Sequence, residues 1–109
     1  MSQLQCRVDW DSLPWTAPTA GVRFKAVEQG GRKLRLVEFL RGFQEADWCR
    51  KGHIGYVLEG KGELTLAGQT VLLKAGDGIF IPAGDEHKHM LRVLSERVRV
   101  VLVEETMQS

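Results

Sequence analysis

From Gly52 to Gly84 no more than seven residues pass between one glycine and the next. A seven-residue helix is about two turns, too short to hold itself together in water, and each glycine lowers helix propensity further. The runs between the glycines, YVLE, ELTL, TVLLK and IFI, are short and apolar with β-branched or aromatic members. Such runs suit strands closed by glycine turns.

The same reading extends on both sides. Gly21–Gln29 is a candidate strand, and Gly30-Gly31 is a strong hairpin signal into Lys33–Leu40. In the second strand Leu34, Leu36, Glu38 and Leu40 share one face, and Arg35, Val37, Phe39 and Arg41 the other. Further strands are expected at 45–49, 53–59, 63–67, 70–74, 78–81, 87–94 and 97–105. Many short strands at regular spacing predict an all-β fold, an antiparallel sandwich or barrel. In 53–58, His53, Gly55 and Val57 share one face and Ile54, Tyr56 and Leu58 the other. With His53 inward, Gly55 leaves room for something bound, and the apolar outer face needs a cover, either the N-terminal arm or a second subunit. Residues 1–20, with Pro14 and Pro18, form no regular helix, but Val8, Trp10, Leu13 and Trp15 imply an arm packed on a barrel at 21–109.

The chain of 109 residues fits one domain, and hydrophobic residues at 43% supply its core. Its 15 Lys and Arg against 14 Asp and Glu, interspersed, give no field for nucleic acid or for an anionic membrane. No transmembrane run and no secretion signal is visible, so a cytoplasmic protein is expected, with Cys6 and Cys49 as free thiols or ligands.

Metal-binding residue types concentrate between Asp47 and His89: Asp47, Cys49 and His53 open the stretch, and His87 and His89 close it. Residues 47 and 49 would project from one face of a strand, with His53 returning beside them after a turn. Singly, each has a plainer reading. Cysteine is often buried as a small hydrophobe, a lone histidine is commonly structural, and Asp47 suits a turn cap. Together they suit zinc, iron or nickel, as a divalent transition metal, better than magnesium or calcium.

Here the chain resembles the cupins. Gly76, Pro82, Gly84 and His87 follow the pattern G-x5-P-x-G-x2-H, with Leu91 where the family usually has Asn. The other motif, G-x5-H-x-H-x3-E-x6-G, keeps its frame with changed chemistry. Asp47, Cys49 and His53 stand at the ligand positions and Gly60 at the last Gly, while Gly42 is one residue off the first. The resemblance implies a jelly-roll barrel, an expected homodimer, and a metal held by Asp47, Cys49, His53 and His87. Those ligands would bring a divalent ion to zero net charge, leaving a weaker Lewis acid. His89 is the catalytic candidate, as an acid or base or a neighbour of the ligands; its plain alternative is a surface histidine beside Lys88. Arg23, Lys25, Arg35 and Glu38 are candidates for a pocket mouth.

Three functions fit these expectations. One is a metal-dependent oxygenase, isomerase or lyase acting on a small-molecule ligand. The second is a non-catalytic binding or sensing module with a saturated metal. The third is a structural barrel that has lost its metal. Fold alone does not choose between them.

Overall fold

The computed structural model describes residues 6–105. Among the described residues, nine strands form two antiparallel sheets. They are β1 (Thr16–Thr19), β2 (Val22–Gln29), β3 (Arg32–Leu40), β4 (His53–Glu59), β5 (Lys61–Leu66), β6 (Gln69–Lys74), β7 (Gly78–Ile81), β8 (His89–Val93) and β9 (Arg97–Glu105). The larger sheet runs β1-β2-β3-β9-β4-β7 and the smaller β6-β5-β8. The two enclose a jelly-roll barrel, as the cupin resemblance implies; the glycine-punctuated runs alone predict a sandwich or barrel. Among the described residues no helix is long and apolar enough to cross a membrane.

The Gly30-Gly31 hairpin closes with both residues at positive φ, 60° and 76°, and Gln29 opposite Arg32. Two left-handed residues in a two-residue loop match the twist of the flanking strands, which glycine does without a Cβ clash.

Two strands depart from expectation. Residues 45–49 form no regular strand; only Gln44 and Cys49 make isolated bridges, to Arg92 and His89. The expected strand from His87 starts instead at His89, because Asp85–His87 is a single 3-10 turn. The arm contributes a 3-10 turn at Trp10–Ser12 and then β1, paired with β2.

The core lies on the inner faces. Val37, Val57, Val93, Val98, Val100 and Leu102 form one buried cluster, and Leu64, Ile81 and Leu91 a second. Phe39, Leu73 and Ile79 pack against both. Each fully buried valine or leucine contributes about 1.5–3 kcal/mol relative to exposure.

Gly55 serves this packing and not an open space. A Cβ there would collide with the Val101 carbonyl oxygen of β9 and would lie 2.8 Å from Leu102 Cδ2. The room expected beside His53 is filled by the neighbouring strand.

On the outer face, the Glu38 carboxylate is fully buried among three arginines. Oε1 accepts from Arg23 at 2.7 Å and Oε2 from Arg99 at 2.8 Å, with Arg97 at 3.5 Å. Burial favours the neutral acid, but the Arg99 and Arg23 hydrogen bonds win and hold its pKa below the ordinary value. Arg23 and Lys25 lie against the Trp15 ring, at 4.1 and 4.7 Å, and Lys25 Nζ donates to the Trp10 carbonyl. So Arg23, Lys25 and Glu38 sit under the arm, outside the barrel. Ile54, Tyr56 and Phe80 remain about half or more exposed, and no described residue of the arm covers them.

Two stability tests follow from this packing. Gly55→Ala should lower the unfolding free energy by about 3 kcal/mol or more, read from denaturant midpoints at unchanged slope. Glu38→Gln should cost about 2 kcal/mol, less than for a fully buried pair because the arginines are partly solvated. Since the folded pKa of Glu38 is lowered, its contribution is present above about pH 4.3 and is lost as pH falls through the folded value. The variant should therefore show a flatter acid limb; an unchanged limb would remove Glu38 as its source.

Candidate metal centre

The site is built by two elements that do not adjoin in sequence. Cys49 and His89 exchange backbone hydrogen bonds, Cys49 N–H to His89 O at 2.8 Å and His89 N–H to Cys49 O at 2.9 Å. Residues so paired project their side chains to the same side. His53, the first residue of β4, adds a third side chain on the inner face opposite Ile81. One donor atom from each of Cys49, His53 and His89 lies within 4.8 Å of the others. His89 is buried and the other two are half-buried.

The imidazoles are oriented for coordination. His89 Nδ1 lies 3.1 Å from the His87 carbonyl oxygen, an acceptor only, so Nδ1 carries the hydrogen and Nε2 its lone pair. His53 Nδ1 lies 3.0 Å from Glu104 Oε2, close but off the line of a hydrogen bond, while Nε2 faces Cys49 Sγ at 3.6 Å. A carboxylate behind a histidine nitrogen is the usual support of a metal ligand. A sulfur and a nitrogen on one tetrahedral zinc at usual bond lengths lie about 3.6 Å apart. A soft thiolate with two imidazoles is chemistry for zinc, iron, cobalt or nickel. The donor set therefore fits a transition metal.

Without metal the same atoms form an ion pair. Hydrogen bonds from His53 and then His89 bring the Cys49 pKa down to about 5. Burial opposes a charge on His53, but the Cys49 and Glu104 contacts outweigh it and raise its pKa to about 9. His89 is raised as well, chiefly by Cys49. Burial likewise works against the Glu104 carboxylate, yet His53 and Arg35 hold its pKa at about 2.

Of the residues singled out in sequence, Cys49 and His53 come together, and His89 joins them. Asp47 and His87 do not. Asp47 is exposed and accepts the Trp48 N–H at 2.7 Å, a local turn cap. His87 ends the 3-10 turn with its side chain 41% exposed and Nε2 3.9 Å from Glu86. Two groups at the site, Glu45 and Glu104, were not singled out in sequence, and Arg35 was expected only at a pocket mouth. Glu45 is half-buried; its Oε1 accepts the Leu91 N–H at 2.9 Å, and it feels Cys49, His89 and His53 electrostatically. Burial raises its pKa. Glu104 and Arg35 pair at 2.6 Å. The inward parity of Glu104 with Val98, Val100 and Leu102 was a usable signal; Glu45, outside any regular strand, offered none.

The donors open on a cavity of about 320 Å³ inside the barrel. Phe24, Phe39, Phe43 and Leu73 are among its walls, and Arg35, Glu45 and the exposed Lys51 also line it. Arg35 thus belongs to the cavity, unlike Arg23, Lys25 and Glu38. Its Nε is buried without a hydrogen-bond partner, a defect of about 1–3 kcal/mol.

A family model described as Cupin domain matches residues 49–104, just over half of the chain. The chain belongs to the cupin family. An RmlC-like cupin from Shewanella frigidimarina is similar over 100% of this chain and 97% of its own, with a TM-score of 0.78 and 16% identity. The polyketide cyclase RemF from Streptomyces resistomycificus is similar over 97% and 88%, with a TM-score of 0.76 and 20% identity. Ectoine synthase from P. lautus is similar over 96% and 80%, with a TM-score of 0.75 and 22% identity. At these identities the likeness shows the fold. No curated protein matches the chain in sequence.

Two measurements check the centre. In Co(II) titrations, Cys49→Ser, His53→Ala and His89→Ala should each weaken binding roughly 100-fold. Asp47→Ala and His87→Ala should stay within about threefold; loss in those two instead would move the site to the set expected from the resemblance. In metal-free protein, thiolate absorbance should rise with a midpoint near pH 5, the value to which Cys49 is brought. His53→Ala should shift that midpoint upward, because the His53 hydrogen bond is its largest cause.

Proposed function

We propose that this cupin is a metal-dependent enzyme acting on a small molecule inside the barrel, of the oxygenase, isomerase or lyase kind. The observation that carries the reading is the convergence of three protein donors, Cys49, His53 and His89, on an apolar cavity of about 320 Å³. Structural zinc sites take four protein ligands, whereas catalytic ones take three and keep a position open. The likeness to a polyketide cyclase and an ectoine synthase supports an enzyme without indicating its reaction.

The chain's own groups divide the work. Cys49, His53 and His89 would hold the ion. Glu104 orients His53, and the His87 carbonyl orients His89. A bound transition metal supplies Lewis-acid polarisation or, when redox-active, electron transfer to substrate or oxygen. Glu45, whose pKa is raised by burial, is placed to hold or move a proton beside the ligands. The apolar walls exclude water from the reacting atoms.

A second reading keeps the metal and drops the turnover. If Glu45 completes a four-ligand set, the site is closed and the protein is a binding or sensing module. The carboxyl's electrostatic coupling to all three donors favours weighing this.

The test begins with untagged protein purified without chelator or added metal. About one equivalent of a transition metal is expected by elemental mass spectrometry, lost in Cys49→Ser and His89→Ala. Azide added to Co(II)-loaded protein should then shift its visible spectrum, reporting an exchangeable position. A tetrahedral spectrum indifferent to azide would favour the binding module. A metal-free wild type as stable as its variants would remove the metal reading.

A further inference from the structure

Three side chains of the centre stand in a line that needs no metal to do chemistry. Cys49 Sγ lies 3.6 Å from His53 Nε2, a hydrogen-bond contact for an atom as large as sulfur. His53 Nδ1, on the far side of the same ring, lies 3.0 Å from Glu104 Oε2. The carboxylate favours a hydrogen on Nδ1 and so leaves the Nε2 lone pair facing the sulfur. A nucleophile, a base within its reach and a third group behind the base is the arrangement that activates thiols and hydroxyls for attack on carbon.

The sulfur is also placed to be used. The paired backbone hydrogen bonds between Cys49 and His89 fix its position, and the His89 ring stands edge-on to His53 with centroids 5.2 Å apart. Cys49 is half-buried and lines the cavity of about 320 Å³, whose other walls include Phe24, Phe39, Leu64 and Leu73. Those walls suit a small apolar group. Glu45 on the lining disfavours an anion beside the sulfur. His53 borders a second hollow as well, of about 730 Å³, with Glu28, Lys33 and Glu105 on its wall. The base therefore touches an apolar space on one side and a polar one on the other.

We propose that the metal-free centre is a cysteine nucleophile for acyl transfer, and that its substrates are neutral esters of a small apolar acyl group. Cys49 Sγ attacks the carbonyl carbon as its proton passes to His53 Nε2. The new carbon–sulfur bond replaces the carbon–oxygen bond, and the leaving oxygen takes that proton from Nε2. Water then gives a proton to Nε2 and takes the acyl group, releasing a carboxylic acid and restoring the thiol. A bound metal would occupy the same sulfur and nitrogen, so metal loading and acylation exclude one another. This activity goes beyond the metal-dependent reading and does not rest on it.

The probe is 4-nitrophenyl acetate, added to the full chain after chelation and removal of the chelator. Wild type should release a burst of about one equivalent of nitrophenolate, with one acetyl group found on Cys49 by peptide mass spectrometry. Cys6→Ser should keep the burst. Cys49→Ala should lose it, and so should Cys49→Ser, which guards against an alanine variant that fails to fold. His53→Gln should acylate at least about tenfold more slowly. Acetyl groups on Cys6 or lysines in place of Cys49, or a His53→Gln variant as fast as wild type, would overturn the proposal. The two readings fail separately. A chain that takes up no Co(II) but shows the burst would sink the metal reading and keep the nucleophile. One that takes up Co(II) yet shows no burst when stripped would do the reverse.

Discussion

β9 lies between β3 and β4 in the larger sheet and pairs with both along most of its length. Its alternation therefore sets theirs. With Val98, Val100 and Leu102 inward, the paired strands turn Val37, Phe39, Val57 and Arg35 inward too. A slip of one residue would expose three core residues at once, which a small barrel cannot sustain. The same parity carries Glu104 to the inner face, beside Arg35 and His53. Hydrophobic burial thus holds the position of a charged group from which it gains nothing directly.

Glu104 links the two halves of the cavity. One carboxylate oxygen meets both the guanidinium of Arg35 and the imidazole of His53. A half-buried carboxylate with two cationic neighbours stays ionised, and it favours a hydrogen on His53 Nδ1 in either protonation state. With His53 neutral, that leaves Nε2 as the coordinating atom. Because the oxygen is divided between two donors, neither is fully served: His53 Nδ1 is misaligned and Arg35 Nε has no partner.

Strand parity was legible wherever the strand is continuous. Residues 53–59 and 97–105 became strands on the expected positions, with His53 and Val57 inward. It was not legible across breaks. Reading 45–49 as a strand put Asp47 and Cys49 on one face; only Cys49 pairs with a strand residue there, and Asp47 turns out to cap its own loop. Reading 87–94 as a strand made His87 and His89 equivalent, but the 3-10 turn ends at His87, so of the two histidines only His89 points inward, with Leu91 and Val93 of β8. A one-turn helix of three residues leaves no periodic signal in sequence. The motif match likewise led to His87, the residue at the family's spacing, because spacing does not report which backbone conformation intervenes. Gly55 presents the converse case: its lack of a side chain was legible, but the reason, a close carbonyl on β9, depends on a strand more than forty positions away.

The altered geometry changes the electrostatics of the centre. A thiolate and a carboxylate with two neutral histidines would cancel a divalent ion, as Asp47 and Cys49 would have done. Cys49 with His53 and His89 would leave a divalent ion one net positive charge, unless Glu45 added its own. Glu45 is poised between those cases. Burial disfavours its charge, and the nearby thiolate disfavours it further, while the Leu91 N–H and cationic histidines favour it. A cation in place of the protons on those histidines would tip the balance towards the carboxylate. Glu45 would then be a ligand or a base according to whether the ion or the substrate lies closer. Were a metal and a ligand to bind together, the charge state of Glu45 would couple the affinity of one to the chemistry of the other.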